Sequence, residues 1–256
     1  MDTPRRHRRI FLAAALSALA AKTLAAPSPG AAAVVNTASR LAMLAERLGK
    51  LHAQIGRDVL AARSRRALVE ASGEFERLLQ EASAAATNVE LRENARLLRL
   101  LWDEYRPLAL QKPTPEGGRK LAERAEEVDW IATKGARLQQ ERSHTRGGML
   151  VMSAGSARAA AQRLGRVYLQ RGWALGPTAG AAEIRAAEAE VTRALEYLKG
   201  VVETDEETAT ALRMADNQWA FLRQAVERRN LEHIAKTTDN VAETMDELAK
   251  GYAAAS

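Results

Sequence analysis

Arg47-Leu48-Gly49-Lys50 returns 116 positions later as Arg163-Leu164-Gly165-Arg166. The same offset carries Ala38 onto Ala154, Gln54 onto Gln170 and Gly56 onto Gly172. It also carries Ala71, Glu74, Arg77 and Leu79 onto Ala187, Glu190, Arg193 and Leu195, and Lys134-Gly135 onto Lys250-Gly251. A constant offset across half a chain, with no gap, marks one unit present twice.

Each copy reads as four helices. Leu41, Leu44, Leu48, Leu51 and Ile55 alternate spacings of three and four, and Leu68, Ala71, Phe75, Leu78 and Ala82 do the same. Leu91, Ala95, Leu98, Trp102 and Tyr105 form a third stripe, and Leu121, Ala125, Val128, Ala132 and Gly135 a fourth. In the second copy Leu164 and Val167 fall on the first helix and Ile184, Ala187, Val191, Leu195 and Leu198 on the second. Its third stripe runs Leu212, Ala215, Trp219, Leu222 and Val226; its fourth runs from Ile234 through Val241, Met245 and Leu248 to Tyr252. Such spacing keeps one apolar face on each helix. The Ala-, Leu-, Glu- and Arg-rich composition favours helix throughout.

Breaks fall between the stripes. Thr87 with Glu90, and Thr204 with Glu207, read as capping boxes that open the third helices. Thr114-Pro115 reads as a cap followed by proline in the first turn, opening the fourth. The expected fold is all-α: two tandem four-helix up-down bundles, residues 26–143 and 144–256, with the fourth helix of the first copy running on into the first of the second. Trp102, Trp130, Trp173 and Trp219 are expected in the core or along its seams.

Residues 1–25 read as an export signal. Arg5, Arg6, Arg8 and Arg9 precede a 12-residue apolar run, Ile10 to Ala21, too short for the roughly 20 residues that span a bilayer. Arg8-Arg9-Ile10-Phe11-Leu12 resembles the twin-arginine signal of bacteria, and Thr23-Leu24-Ala25 suits a signal peptidase, so the expected location is the periplasm. The chain has 38 basic and 32 acidic residues, net +6, but residues 1–25 hold five of the basic and one of the acidic. The remainder is near neutral, with 33 basic and 31 acidic residues, so no nucleic-acid partner is expected. Cysteine is absent, which excludes disulfides and thiolate chemistry.

The segment Val34-Val35-Asn36-Thr37-Ala38-Ser39-Arg40-Leu41-Ala42-Met43-Leu44-Ala45-Glu46-Arg47-Leu48-Gly49-Lys50 resembles the start of the PilJ/NarX-type periplasmic sensor domain. That family opens its first helix with Ile-Asn-Leu-Ala-Gly-Arg-Gln-Arg-Met-Leu-Ser-Gln-Arg; Asn36, Ala38, Arg40, Met43, Leu44 and Arg47 match it. In the second copy Ala154-Gly155-Ser156-Ala157-Arg158 is similar to the family's Ala-Gly-Ser-Leu-Arg variant, and the match continues through Gln162-Arg163-Leu164.

The resemblance implies a four-helix ligand-sensing bundle. In the family's nitrate and nitrite sensors the Arg before the Met position binds the anion. Carried over, that position is Ala42 in the first copy and Arg158 in the second, where Ala159 replaces the Met. Arg158, Gly155, Ser156, Arg40 and Asn36 are therefore the candidate ligand residues, the ligand being nitrate, nitrite or a small carboxylate. A guanidinium offers a planar fork of donors suited to such anions. Arg47 and Arg163 are expected to bridge helices within each bundle. Gly49 and Gly165, which cost roughly 1 kcal/mol each inside a helix, suggest a close helix crossing.

His52, His144 and His233 show no paired spacing, and no phosphate loop or nucleophile elbow occurs. An enzyme is not expected, nor a metal or cofactor. Relatives of the resembled family carry a signalling region after a membrane helix; none follows here, so the expected partner is a separate membrane-bound signalling or transport protein, with a homodimer also open. The competing expectation is a ligand-free structural or adaptor protein of the cell envelope.

Overall fold

Where the apolar stripes predict helices, helices form. The computed structural model describes residues 30–201 and 205–256. Its elements are α1 (Ala31–Gly56), α2 (Ala61–Ala84), α3 (Val89–Leu110), α4 (Pro115–Ser143), α5 (Arg146–Gln170), α6 (Ala181–Lys199), α7 (Glu206–Glu227) and α8 (Leu231–Ala254). The fold is all-α, with no strand among the described residues. The export-signal reading of residues 1–25 falls outside them.

Local chemistry sets the breaks. Thr114 Oγ1 accepts from the Gly117 N–H at 3.0 Å, with Pro115 in the first turn of α4. The cap of α3 is Asn88 rather than Thr87: its Oδ1 takes the Leu91 N–H at 2.8 Å. Asn accepts at this position as well as Thr does. On α7 the cap is Asp205, whose carboxylate takes the Thr208 N–H at 2.7 Å; Thr204 lies outside the described residues.

The fourth and fifth helices are not one continuous helix. His144 turns the backbone into the left-handed region at φ 46°, and extended Thr145 starts α5 afresh, its Oγ1 accepting from the Gly148 N–H at 3.0 Å. A side-chain acceptor in place makes stopping and restarting cheap.

The two first helices lie at the centre. α1 packs against α2, α4, α5 and α8; α5 packs against α1, α4, α6 and α8. α3 joins α2 and α4, and α7 joins α6 and α8. α1 and α5 run parallel, because Ser39 meets Gly155 near one end and Gly49 and Lys50 meet Arg166 and Gly165 near the other. These contacts are reciprocal under the 116-residue shift. A Cβ on Gly49 would lie 2.7 Å from Arg166 Cδ, and one on Gly165 would lie 2.8 Å from Lys50 Cδ. At Gly155 a Cβ would lie 2.7 Å from Ser39 Cβ, so glycine is what lets the backbones approach there.

Apolar side chains fill a core on each side of this pair. On one side Phe75 stacks on Trp102 with centroids 4.0 Å apart, beside Leu48, Leu79 and Leu121. On the other, Trp219 packs with Val191, Leu195, Leu222 and Met245. Each large apolar side chain so buried contributes about 1.5–3 kcal/mol. Trp130 departs from expectation. It is 66% exposed, because it sits two residues from both Val128 and Ala132, about 200° around α4 from that buried stripe.

Candidate functional site

α1 and α5 are buried on nearly every side, so their polar residues cannot all reach water and must find partners inside the protein. α5 contains no acidic residue, and α1 has only Glu46. The carboxylates that meet their cations come mostly from α2, α4, α6 and α8. Three polar clusters result along the α1–α5 seam.

The first holds most of the expected ligand residues. Arg158 is wholly buried. Its Nη1 donates to Asp246 Oδ1, Nη2 donates to Ser39 Oγ at 3.0 Å, and both reach Asn36 Oδ1 at 3.3 Å. Arg40 converges on the same carboxylate, Nη1 lying 2.6 Å from each Asp246 oxygen, and its Nη2 pairs with Glu74. Lys250 Nζ completes the ring at 2.7 Å from Asp246.

Burial, helped by the Arg40 charge, pulls the Arg158 guanidinium down to about 10 despite Asp246. Burial also pushes the Asp246 carboxyl up, but Arg158, Lys250 and Arg40 outweigh it and hold it below its ordinary range. The structure thus brings Arg158, Arg40, Asn36 and Gly155 together. It leaves Ser156 apart, bonded to Ser153 O at 3.2 Å on a face it shares with Met149 and Tyr197. Asp246 is the residue that sequence reasoning missed.

The middle cluster is larger. Arg166 Nε donates to Glu46 Oε2 at 2.6 Å, Nη1 to Gln170 Oε1 at 3.1 Å, and Nη2 to Glu183. Arg163 reaches Glu46 at 3.2 Å, Asp129 at 2.6 Å and Glu190 at 3.2 Å. Glu46 and Arg166 have no exposed surface. Arg163 was expected to tie helices within its own bundle; instead it ties α5 across to α1 and α4 as well as to α6. The reason is composition: its own helix offers no acid, and Glu46 and Asp129 lie on the other repeat.

Four carboxylates share two guanidiniums here. Burial pushes the Asp129 carboxyl up to about 7, Arg163 opposing this and Glu46 and Glu190 adding to it. Its Oδ1 is buried with no partner. Glu46 goes the other way: burial raises it, but Arg166 and Arg163 together hold it below the usual range.

The pH consequence is specific. Asp129 has its folded pKa above its ordinary value of 3.8, so it contributes stability below that value and loses it as pH rises to about 7. Glu46, Asp239 and Asp246 are depressed, so their contribution is present above the ordinary carboxyl range and lost as pH falls through their lowered values. Asp129→Asn keeps an oxygen for Arg163 and removes the titration. In urea unfolding, the variant is expected to gain roughly 1–2 kcal/mol on the wild type between pH 5 and pH 8. A pH-independent difference would show that Asp129 is ionised throughout.

In the third cluster, Lys50 Nζ donates to Asp239 Oδ1 at 2.6 Å and to Thr238 Oγ1 at 3.2 Å, while Gln162 Nε2 donates to the same Asp239 oxygen at 3.0 Å. His52 donates from Nδ1 to Ala109 O at 3.0 Å, and burial holds it below its usual pKa. Among the described residues no group of His, Asp and Glu is arranged to hold a metal ion, and no helix is long and apolar enough to cross a membrane. No family model matches the chain, and neither a curated protein nor a solved structure matches it.

Proposed function

We propose that this chain is an exported, non-catalytic helical module of the sensor type. It exchanges a small anion for the Asp246 carboxylate at the α1–α5 seam and passes the change to a separate membrane signalling or transport protein. One observation carries the reading: Arg40 and Arg158, from different repeats, converge on one carboxylate. With Lys250 they set three cations against Asp246 and Glu74, which leaves the locus positive and suited to a nitrate, nitrite or carboxylate ligand.

Asp246 acts as a tethered occupant of the anion position. Its helix α8 packs on both α1 and α5, so displacing the carboxylate shifts α8. A ligand moves that equilibrium only by binding the displaced arrangement more tightly. The resemblance to PilJ/NarX-type sensor domains supports the same reading, since Arg158 stands at the family's anion-binding position. The twin-arginine-like leader in residues 1–25 supports export to the periplasm.

Calorimetric titration with nitrate, nitrite and acetate tests this. Asp246→Asn removes the internal competitor and is expected to tighten binding at least tenfold, about 1.4 kcal/mol. Arg158→Gln is expected to abolish it. A second reading, a ligand-free adaptor of the envelope, is favoured by the pairing of Asp246 with both arginines, which leaves only Arg158 Nε without a partner there. Absence of binding heat in both wild type and Asp246→Asn would leave only that one.

A further inference from the structure

Arg163 and Arg47 are counterparts under the 116-residue shift, yet their surroundings differ. Arg163 is met by Glu46, Asp129 and Glu190. The shift carries these three positions onto Gln162, Met245 and Glu74. Two carboxylates have become an amide and a thioether, and Glu74 is paired with Arg40. Arg47 keeps the guanidinium without its acids: among the described residues it makes no ion pair, and its Nε is buried with no hydrogen-bond partner.

Beside it, between α1, α2 and α8, lies a cavity of about 20 Å³, room for one water-sized occupant. Arg47, Arg63 and Lys236 line it, with Gln54, Ser64 and Asp239. Asp239 is the lone carboxylate of the lining, and Lys50 and Gln162 hold it through Oδ1. Gln54 is 2% exposed, and its Oε1 has no partner. Turning that amide over directs an N–H to the cavity instead. The first turn of α2 also borders the space, and α2 has no side-chain cap: its N-cap is Leu60, at φ 54°. Free N–H groups and the positive end of the helix dipole therefore add to the cations.

We infer that this cavity is a binding site for a single compact inorganic anion of about chloride size, held by Arg47 and neighboured by Arg63 and Lys236. A water there satisfies a hydrogen bond but leaves half-buried Arg47 to share the single Asp239 charge with Lys50. An anion supplies from solution the charge that Glu46 and Asp129 supply covalently to Arg163. The inference is independent of the Asp246 reading, since Arg47 lies about two turns further along α1 than Arg40 and no residue lining the cavity pairs with Asp246.

Thermal unfolding of the full chain in sodium chloride and in sodium gluconate, at equal ionic strength, tests it. The wild type is expected to melt roughly 2–4 °C higher in chloride. Arg47→Gln is expected to erase the difference and Arg137→Gln, on the exposed face of α4, to retain it. Gln162→Glu sets a second carboxylate beside Asp239, which lines the cavity, and is expected to erase the chloride response even where Arg47→Gln fails to fold. Crystals grown with bromide should show its anomalous signal beside Arg47 Nε. Equal melting in the two salts, a chloride response unchanged in Gln162→Glu, or a water with no bromide in the cavity would each overturn the proposal.

Discussion

Arg166→Met is expected to destabilise the protein by about 3–5 kcal/mol, the usual cost of removing one partner from a buried ion pair. For a chain of this size that lowers Tm by roughly 10 °C. The loss is large because of what stays behind. Glu46 has no exposed surface and would keep only Arg163, while Glu183 and Asp129 add charge of the same sign to the same space. Methionine fills the channel along Gly49 with similar length, so packing contributes little to the loss.

Two companions sharpen the test. Arg166→Lys places there the residue that the first repeat carries at Lys50, but one ammonium cannot fork between Glu46 and Glu183, so an intermediate loss is expected. Adding Glu46→Gln to Arg166→Met removes the stranded charge and should recover much of the stability, as apolar or neutral replacements of whole buried pairs do. Chemical denaturation of the wild type, Glu46→Gln, Arg166→Met and the double variant gives the coupling as a double-mutant cycle. A double variant no better than Arg166→Met would mean that Glu46 is not the stranded group.

Trp102→Ala is expected to cost a further and separate 3–5 kcal/mol or so, by the cavity it opens. Trp102 is fully buried, stacks on Phe75 at 4.0 Å and sits 6.1 Å from Tyr105. Its Nε1 donates to Glu76 Oε2 at 2.7 Å. Trp102→Phe keeps most of the volume and loses that donor, so its expected cost is about 1–2 kcal/mol. The contrast, read from urea midpoints, separates packing from the hydrogen bond. Similar losses in both variants would assign the role to the indole N–H.

The apolar half of this architecture was legible because burial there follows a period. Leu121, Ala125, Val128, Ala132 and Gly135 fall on one face of α4 whatever the rest of the molecule does, and all are buried. Thr114-Pro115 was legible because a cap is local. The polar half was not. Arg158 and Arg166 look like surface arginines in a charged helix, and nothing within a turn of either reveals Asp246, 88 residues on from Arg158, or Glu46, 120 residues back from Arg166.

A signal did exist. A 25-residue helix with Arg146, Arg158, Arg163 and Arg166 and no acid cannot balance its own charge, so it must borrow carboxylates from its neighbours. Its small residues, Gly155, Ala157 and Ala159 through Ala161, further mark it as a helix enclosed on all sides. The clustering of Arg40 with Arg158 needed the parallel pairing of α1 with α5, which no single-helix argument supplies.

That pairing has an evolutionary reach. Two identical subunits joined along an isologous contact must accept every substitution twice, once on each side of the axis. Here the two sides belong to one polypeptide, so each change is made once: Lys50 faces Arg166, Gln162 answers Glu46, and Ala42 answers Arg158. The covalent link also keeps the halves together however dilute the protein, at an effective concentration set by the chain rather than by expression. Within one chain, a surface that symmetry would hold uniform can specialise, with each half free to carry its own chemistry.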